Sequence, residues 1–160
     1  LVLPSPRARS PRLGLNLVRV EGQWESGAGI NRVEAAAVAT AVLRHAKETP
    51  EDTLGVAAFS VKQRDAILDE VERLRREDPS ADAFFAAHEH EPFFVKNLEN
   101  VQGDERDAIF ISVGYARGAD GKVAMRFGPL SADGGERRLN VLITRAKKRC
   151  TVFSGLTADD

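Results

Sequence analysis

Arg138 and Arg145 stand seven residues apart in a basic run, residues 136–149, that also holds Arg137, Lys147, Lys148 and Arg149. On a helix that spacing projects both guanidiniums from nearly one angle, two turns apart. Such a pair suits a phosphate chain, because each guanidinium can bind oxygens bidentately and never loses its charge. A solvated basic face is the plain alternative. Favourable charge at a helix C-terminus would account for Lys147, Lys148 and Arg149, but not for Arg138.

A second cluster, Gln102, Gly103, Asp104, Glu105 and Asp107, precedes the apolar run Ala108 to Val113. Sites in open α/β sheets gather at strand ends, and a glycine there lets backbone approach a ligand closely. The third is Phe59-Ser-Val-Lys-Gln63, again where a strand runs into a helix. The Gln63 amide could contact a base or sugar, and it also occupies the capping-box position of a helix starting at Ser60.

The elements that must position these residues read as alternating strands and helices. Leu13, Leu15 and Leu17 alternate with Asn16, Val18 and Val20, a strand near 15–20. Asn31 with Glu34 has capping-box spacing, and the Ala-rich stretch predicts a helix over 32–47, stopped by Pro50. Leu54 to Phe59 is continuously apolar, as a strand buried on both faces of a parallel sheet should be. A helix follows from Ser60 to Asp78 and Pro79. Residues 80–92 show no periodicity, then a short strand begins at 93–95. A strand at 108–113, a hairpin over 115–127 turning at Asp120-Gly121, a helix over 137–148 and a last strand at 150–153 complete the chain. The fold class is therefore α/β, a mostly parallel sheet with helices on both faces.

The 160 residues, 42% apolar and 29% charged, suit one globular domain. We expect residues 1–12, with Pro4, Pro6, Pro11 and three arginines, to be a linker, 13–156 the domain and 157–160 a tail. No apolar stretch approaches the roughly 20 residues of a membrane span. Lone Cys150, with His45, His88 and His90, makes neither a disulfide nor a usual zinc site, so no metal ligand is assigned. A reducing, cytoplasmic setting is expected. Net charge is −1, so any nucleic-acid contact must come from local basic clusters.

In their order along the chain the three clusters resemble the motifs of superfamily 1 helicases. Phe59-Ser-Val-Lys-Gln63 is similar to motif IV, Val101-Gln-Gly-Asp-Glu-Arg-Asp107 to motif V, and Arg137-Arg-Leu-Asn-Val-Leu-Ile-Thr-Arg-Ala-Lys147 to motif VI. The resemblance covers about residues 15–155 and points to the branch that includes nonsense-mediated-decay and Dna-type helicases. It implies the second RecA-like domain of a two-domain, P-loop NTPase-like motor. ATP and Mg2+ would bind between this domain and the first RecA-like domain of the same parent chain, and single-stranded DNA or RNA would cross the top of both. Arg145 would be the arginine finger, and Arg138 a second γ-phosphate or structural arginine. Glu105 would contact the nucleotide sugar, Gln63 the adenine side, and Gly103 would let the motif V backbone come close. Gln102, Lys147 and Lys148 would face nucleic acid. The family's motif IV often carries an aromatic or charged residue before its Gln, and here that residue is Lys62. The phosphate loop Gly-x-x-x-x-Gly-Lys-Ser/Thr is absent: before Gly121-Lys122, Ala116 takes the place of the first glycine, and Val123 takes that of the hydroxyl. Half an active site, inactive alone, is what this implies.

Two other readings compete. Asp107 followed by Asp120-Gly-Lys122 satisfies the loose acid, then acid-x-Lys pattern of a metal-dependent nuclease. A non-catalytic single-strand-binding module would use the basic patch and Trp24, stacking on a base or closing its Gly-rich loop onto the core.

Overall fold

The computed structural model describes residues 13–101, 103–123, 131 and 133–157. The elements are strand β1 (Gly14–Arg19), helix α1 (Arg32–Glu48), strand β2 (Leu54–Ala58), helix α2 (Val61–Glu77), helix α3 (Asp82–Ala87), strand β3 (Phe94–Asn97), strand β4 (Arg106–Ser112), helix α4 (Gly135–Ile143) and strand β5 (Ala146–Ser154). Their sheet order is β1-β5-β4-β2-β3, and every pairing in it is parallel. The expected α/β architecture with helices on both faces is thus the one found.

The continuous apolar character of β2 and β4 follows from their central place, since each is covered above and below. Leu54, Val56, Ala58, Ala108 and Phe110 point into one core with Val38, Val42, Ile67 and Val71 from α1 and α2. Ala57, Ile109 and Ile111 point into the other, under Leu142 of α4, with Tyr115 and Cys150. The helices start where the caps put them: the Asn31 side chain accepts from the Glu34 N–H, and Ser60 Oγ from the Gln63 N–H.

Several expected boundaries move. The helix placed over 137–148 ends at Ile143, and the last strand begins at Ala146 rather than 150. The apolar stripe Leu139, Leu142, Ile143, Ala146 has helical spacing, but the Arg106 N–H donates to the Arg145 carbonyl at 3.1 Å and draws the chain into the sheet beside β4. Arg145 and Arg138 therefore do not share one helix edge, and Lys147, Lys148 and Arg149 lie on a strand, where a helix dipole has no bearing. The stretch 80–92 holds a 3₁₀ turn at Pro79–Ala81 and α3, whose Phe84 is buried. Of the hairpin, the bridge Arg117 to Val123 is present; residues 124–127 lie outside the described residues. β1 is an edge strand, and its Leu15 and Leu17 are exposed, Leu17 at 73%. Cys150 is fully buried, and burial pushes its thiol up to about 12, so it is inert.

Candidate functional site

Glu105 and Arg145 immediately precede β4 and β5, which pair directly, so the two side chains meet at the amino end of the sheet. A turn built by the Thr144 N–H to Asn140 O and the Arg145 N–H to Leu142 O bonds carries the chain from α4 into β5. Arg145 Nη1 lies 3.7 Å from Glu105 Oε1, the carboxylate more than half exposed and the guanidinium a quarter exposed. Its Nε is buried and has no hydrogen-bond partner among the described residues. Beside it runs a groove of about 500 Å³ lined by Leu98, Glu99, Val101, Leu142 and the three arginines Arg137, Arg138 and Arg145. Arg138 lies in the first half of α4, five residues or about 7.5 Å of helix rise before its end at Ile143. Arg138 and Arg145 both line this groove, and guanidiniums there are donors that fit a phosphate chain. Among the described residues no three His, Cys, Asp or Glu side chains gather to hold a cation.

Gly103 lies in the turn ahead of β4, closed by the Asp104 N–H to Val101 O bond, with φ at +90°. Nothing lies within 4 Å of where a Cβ would stand, so it is the backbone angle that demands glycine, and the space over the turn is open. Gln102 lies outside the described residues.

Lys147 and Lys148 occupy the register shift between β4 and β5, where Arg106 pairs with Ala146 but Ala108 with Arg149. The extra β5 residue is a bulge, which re-aims side chains. Lys147 Nζ meets Glu91 at 2.5 Å; Lys148 Nζ meets Asp52 at 2.5 Å and Asp107 at 3.5 Å. Their hydrogen bonds to Glu91 and Asp52 raise both lysine pKa values, and Lys147 in turn holds Glu91 below its usual range. Burial would raise the Asp107 carboxyl, but the Thr53 N–H and Lys148 outweigh it and hold it low. Arg149 packs against Phe110 and reaches His45 Nδ1 at 3.1 Å.

Gln63 is not brought to this site. It lies at the carboxyl end of the sheet, within reach of Ser112 at the far end of the seven-residue β4, roughly 20 Å from Glu105 at about 3.3 Å per residue. There it is fully buried and its amide is spent: Oε1 accepts from the Asn31 N–H at 2.9 Å, and Nε2 donates to the Asn31 carbonyl at 3.1 Å. The same separation splits the nuclease pattern, since Asp107 opens β4 whereas Asp120 lies in the loop beyond its far end and accepts from the Lys122 N–H.

Sequence reasoning missed what gathers around Gln63. Glu34 is fully buried, and its Oε1 accepts from Ser112 Oγ at 2.6 Å and from the Gly114 N–H at 2.7 Å. Burial raises its carboxyl to about 7, against the pull of those donors. The capping-box spacing gave only half the arrangement, since the Glu34 carboxylate turns away from Asn31 toward β4. Nearby, Trp24 stacks on Tyr115 with ring centroids 4.9 Å apart, closing its loop onto the core.

Comparison with known proteins fits this architecture. Residues 8–156 match the family model described as AAA domain. An ATP-dependent helicase of Mycoplasma pneumoniae is 35% identical over 143 residues, which cover 88% of this chain and 12% of that protein. One from Mycoplasma genitalium is 53% identical over 72 residues, covering 45% and 6%. The chain thus spans a small part of these relatives. Among solved structures, the C-terminal domain of a possible DNA helicase from Lactobacillus plantarum superposes with a TM-score of 0.51 over 87% of this chain and 72% of that one, at 13% identity, a likeness of fold. With its family model spanning almost the whole of the sheet and its helices, the chain belongs to the AAA domain family.

Proposed function

We propose that this chain is the second motor domain of an ATP-dependent superfamily 1 helicase or translocase, of the branch that includes nonsense-mediated-decay and Dna-type helicases. It would supply an arginine finger to a nucleotide held against a first RecA-like domain elsewhere in the parent. The observation that carries this is the meeting of Glu105 and Arg145 at the amino ends of two paired strands, with Arg145 Nε buried and without a hydrogen-bond partner among the described residues. Bound ATP supplies the anhydride that is cleaved, and the first domain supplies the phosphate loop and the magnesium ligands. Arg145 neutralises charge developing on the transferred phosphoryl oxygens, with Arg138 lining the same groove. Glu105 accepts from a sugar hydroxyl, and the open turn at Gly103 gives backbone access. A single strand of DNA or RNA crosses the carboxyl-end loops. Lys147 and Lys148, at the amino end of β5 and already facing carboxylates, lie away from that path.

The test is Arg145→Lys in the full-length parent. Lysine keeps the charge but loses the planar fork, so strand-stimulated ATP turnover should fall at least about 10²-fold while the melting temperature stays close to the parent's. Normal turnover by a folded variant at saturating ATP would remove the arginine-finger assignment.

A further inference from the structure

The carboxyl end of the sheet holds a buried polar hub that the phosphate-facing site does not use. Glu34, at the first turn of α1, accepts from Ser112 and Gly114 where β4 ends, and its N–H donates to Asn31. Gln63, at the start of α2, grips both the N–H and the carbonyl of Asn31 and donates to Ser112 Oγ at 3.3 Å. Gly22 is packed so closely on the Asn31 amide that a Cβ there would lie 2.3 Å from Oδ1. The hub therefore joins the loop carrying Trp24, the starts of two helices and the exit of the central strand leading to Tyr115. A carboxylate is a costly choice for such a place, because it is removed from water with no cationic side chain among the described residues paired with it. Its Oε2 has no hydrogen-bond partner by distance and angle among the described residues, although the backbone N–H groups of Val113 and Gly155 also favour the charge. A glutamine or an apolar residue would serve packing at lower cost.

We propose that Glu34 is a positioning residue: its carboxylate, gripping the exit of β4 against α1, holds the loops of Trp24 and Tyr115 in the stance that binds a single strand. This rests on the reading that a strand crosses the carboxyl-end loops, and Glu34 itself touches no nucleic acid.

Trp24 is the only tryptophan of the chain, so its emission reports the loop pair with no strand present. Glu34→Gln should shift that emission to the red and raise its quenching by acrylamide, with circular dichroism unchanged. In the full-length parent the same variant should weaken binding of labelled oligodeoxythymidine and oligouridine about tenfold, the size expected for losing a hydrogen bond to a charged group. Strand-independent ATP hydrolysis should hardly change. Ser112→Ala removes one donor but keeps the carboxylate, so it should act in the same direction and serves where glutamine is not tolerated. A purely structural glutamate would instead give a variant of equal or greater stability with parental emission and affinity, and that result overturns the proposal. If the unaltered parent binds neither oligonucleotide, the strand-path reading fails, and the Trp24 measurement alone decides whether Glu34 positions the loops.

Discussion

On the proposed function, the Glu105–Arg145 pair would be exchanged for contacts to a nucleotide. At 3.7 Å with a carboxylate more than half in water, it lies in the range where ion pairs contribute about 0–1 kcal/mol. A nucleotide that offers Arg145 a phosphate and Glu105 a hydroxyl displaces very little. The two groups are held ready by backbone, through the Arg106 N–H to Arg145 carbonyl bond, rather than by each other. Glu105→Gln should therefore leave the unfolding midpoint of the parent almost unchanged. It should, however, erase a preference for ATP over 2′-deoxy-ATP, because a hydrogen bond from a hydroxyl to a charged acceptor is worth about 1.5–3 kcal/mol, or roughly 10- to 100-fold in kcat/KM. Steady-state hydrolysis of the two nucleotides by parent and variant gives the ratio directly. A variant that keeps the parent's ratio would show that Glu105 does not read the sugar.

Among the elements, β2 shows how tightly the sheet's sequence is matched to its neighbours. Gly55 pairs with Phe94 of β3, and a Cβ at Gly55 would stand 2.3 Å from the Phe94 ring, which carries Lys96 and Arg106 at about 5 Å from its centroid. Gly55→Ala should destabilise by about 1–3 kcal/mol through overpacking, and Phe94→Leu in that background should recover part of the loss. Urea unfolding of the single and double variants measures both, and additive losses would mean the ring is not the obstacle. That glycine is invisible to periodicity, and so is the bulge at Lys147 and Lys148. By contrast β2, β4, α1 and α2 were legible, since an apolar run or a capped amphipathic stripe fixes an element whatever surrounds it. The end of α4 was not: Leu139, Leu142, Ile143 and Ala146 satisfy a helix and a helix-then-strand equally, and only pairing with β4 decides between them. The exposure of Leu15 and Leu17 was hidden for the same reason, because alternation shows which residues share a face but not whether anything covers it. The site shows the same limit. Glu105 and Arg145 stood out by type and spacing, whereas Gln63 stood out equally and the topology carries it to the other end of the strands.

For the whole molecule, that topology puts a groove lined by arginines at one end of the sheet and a buried carboxylate at the other. The basic groove at the amino end lacks a phosphate loop, so the isolated chain should hydrolyse ATP no faster than buffer; turnover by pure folded chain, abolished by a substitution within it, would overturn the half-site reading. The other end carries a pH signature. Glu34 ionises near its ordinary 4.5 when unfolded but only near about 7 when folded, so between these values the folded state holds a proton that the unfolded state has lost. Stability therefore falls as pH rises through this window and levels off above it, by on the order of 3 kcal/mol in total if nothing else titrates. His45 opposes this, because burial lowers its pKa, and its contribution grows with pH up to about the ordinary 6.5. Glu91, Asp107 and Asp78, all held low, lose their contributions only in more acidic solution. Comparison of the chain with Glu34→Gln isolates the glutamate, since His45 is common to both. The stability of the parent chain relative to the variant should be highest near pH 5 and decline steadily to about pH 7.5. Urea unfolding of both at three or more pH values across that range measures the difference, and a difference that stays constant with pH would mean that Glu34 carries the same charge in both states.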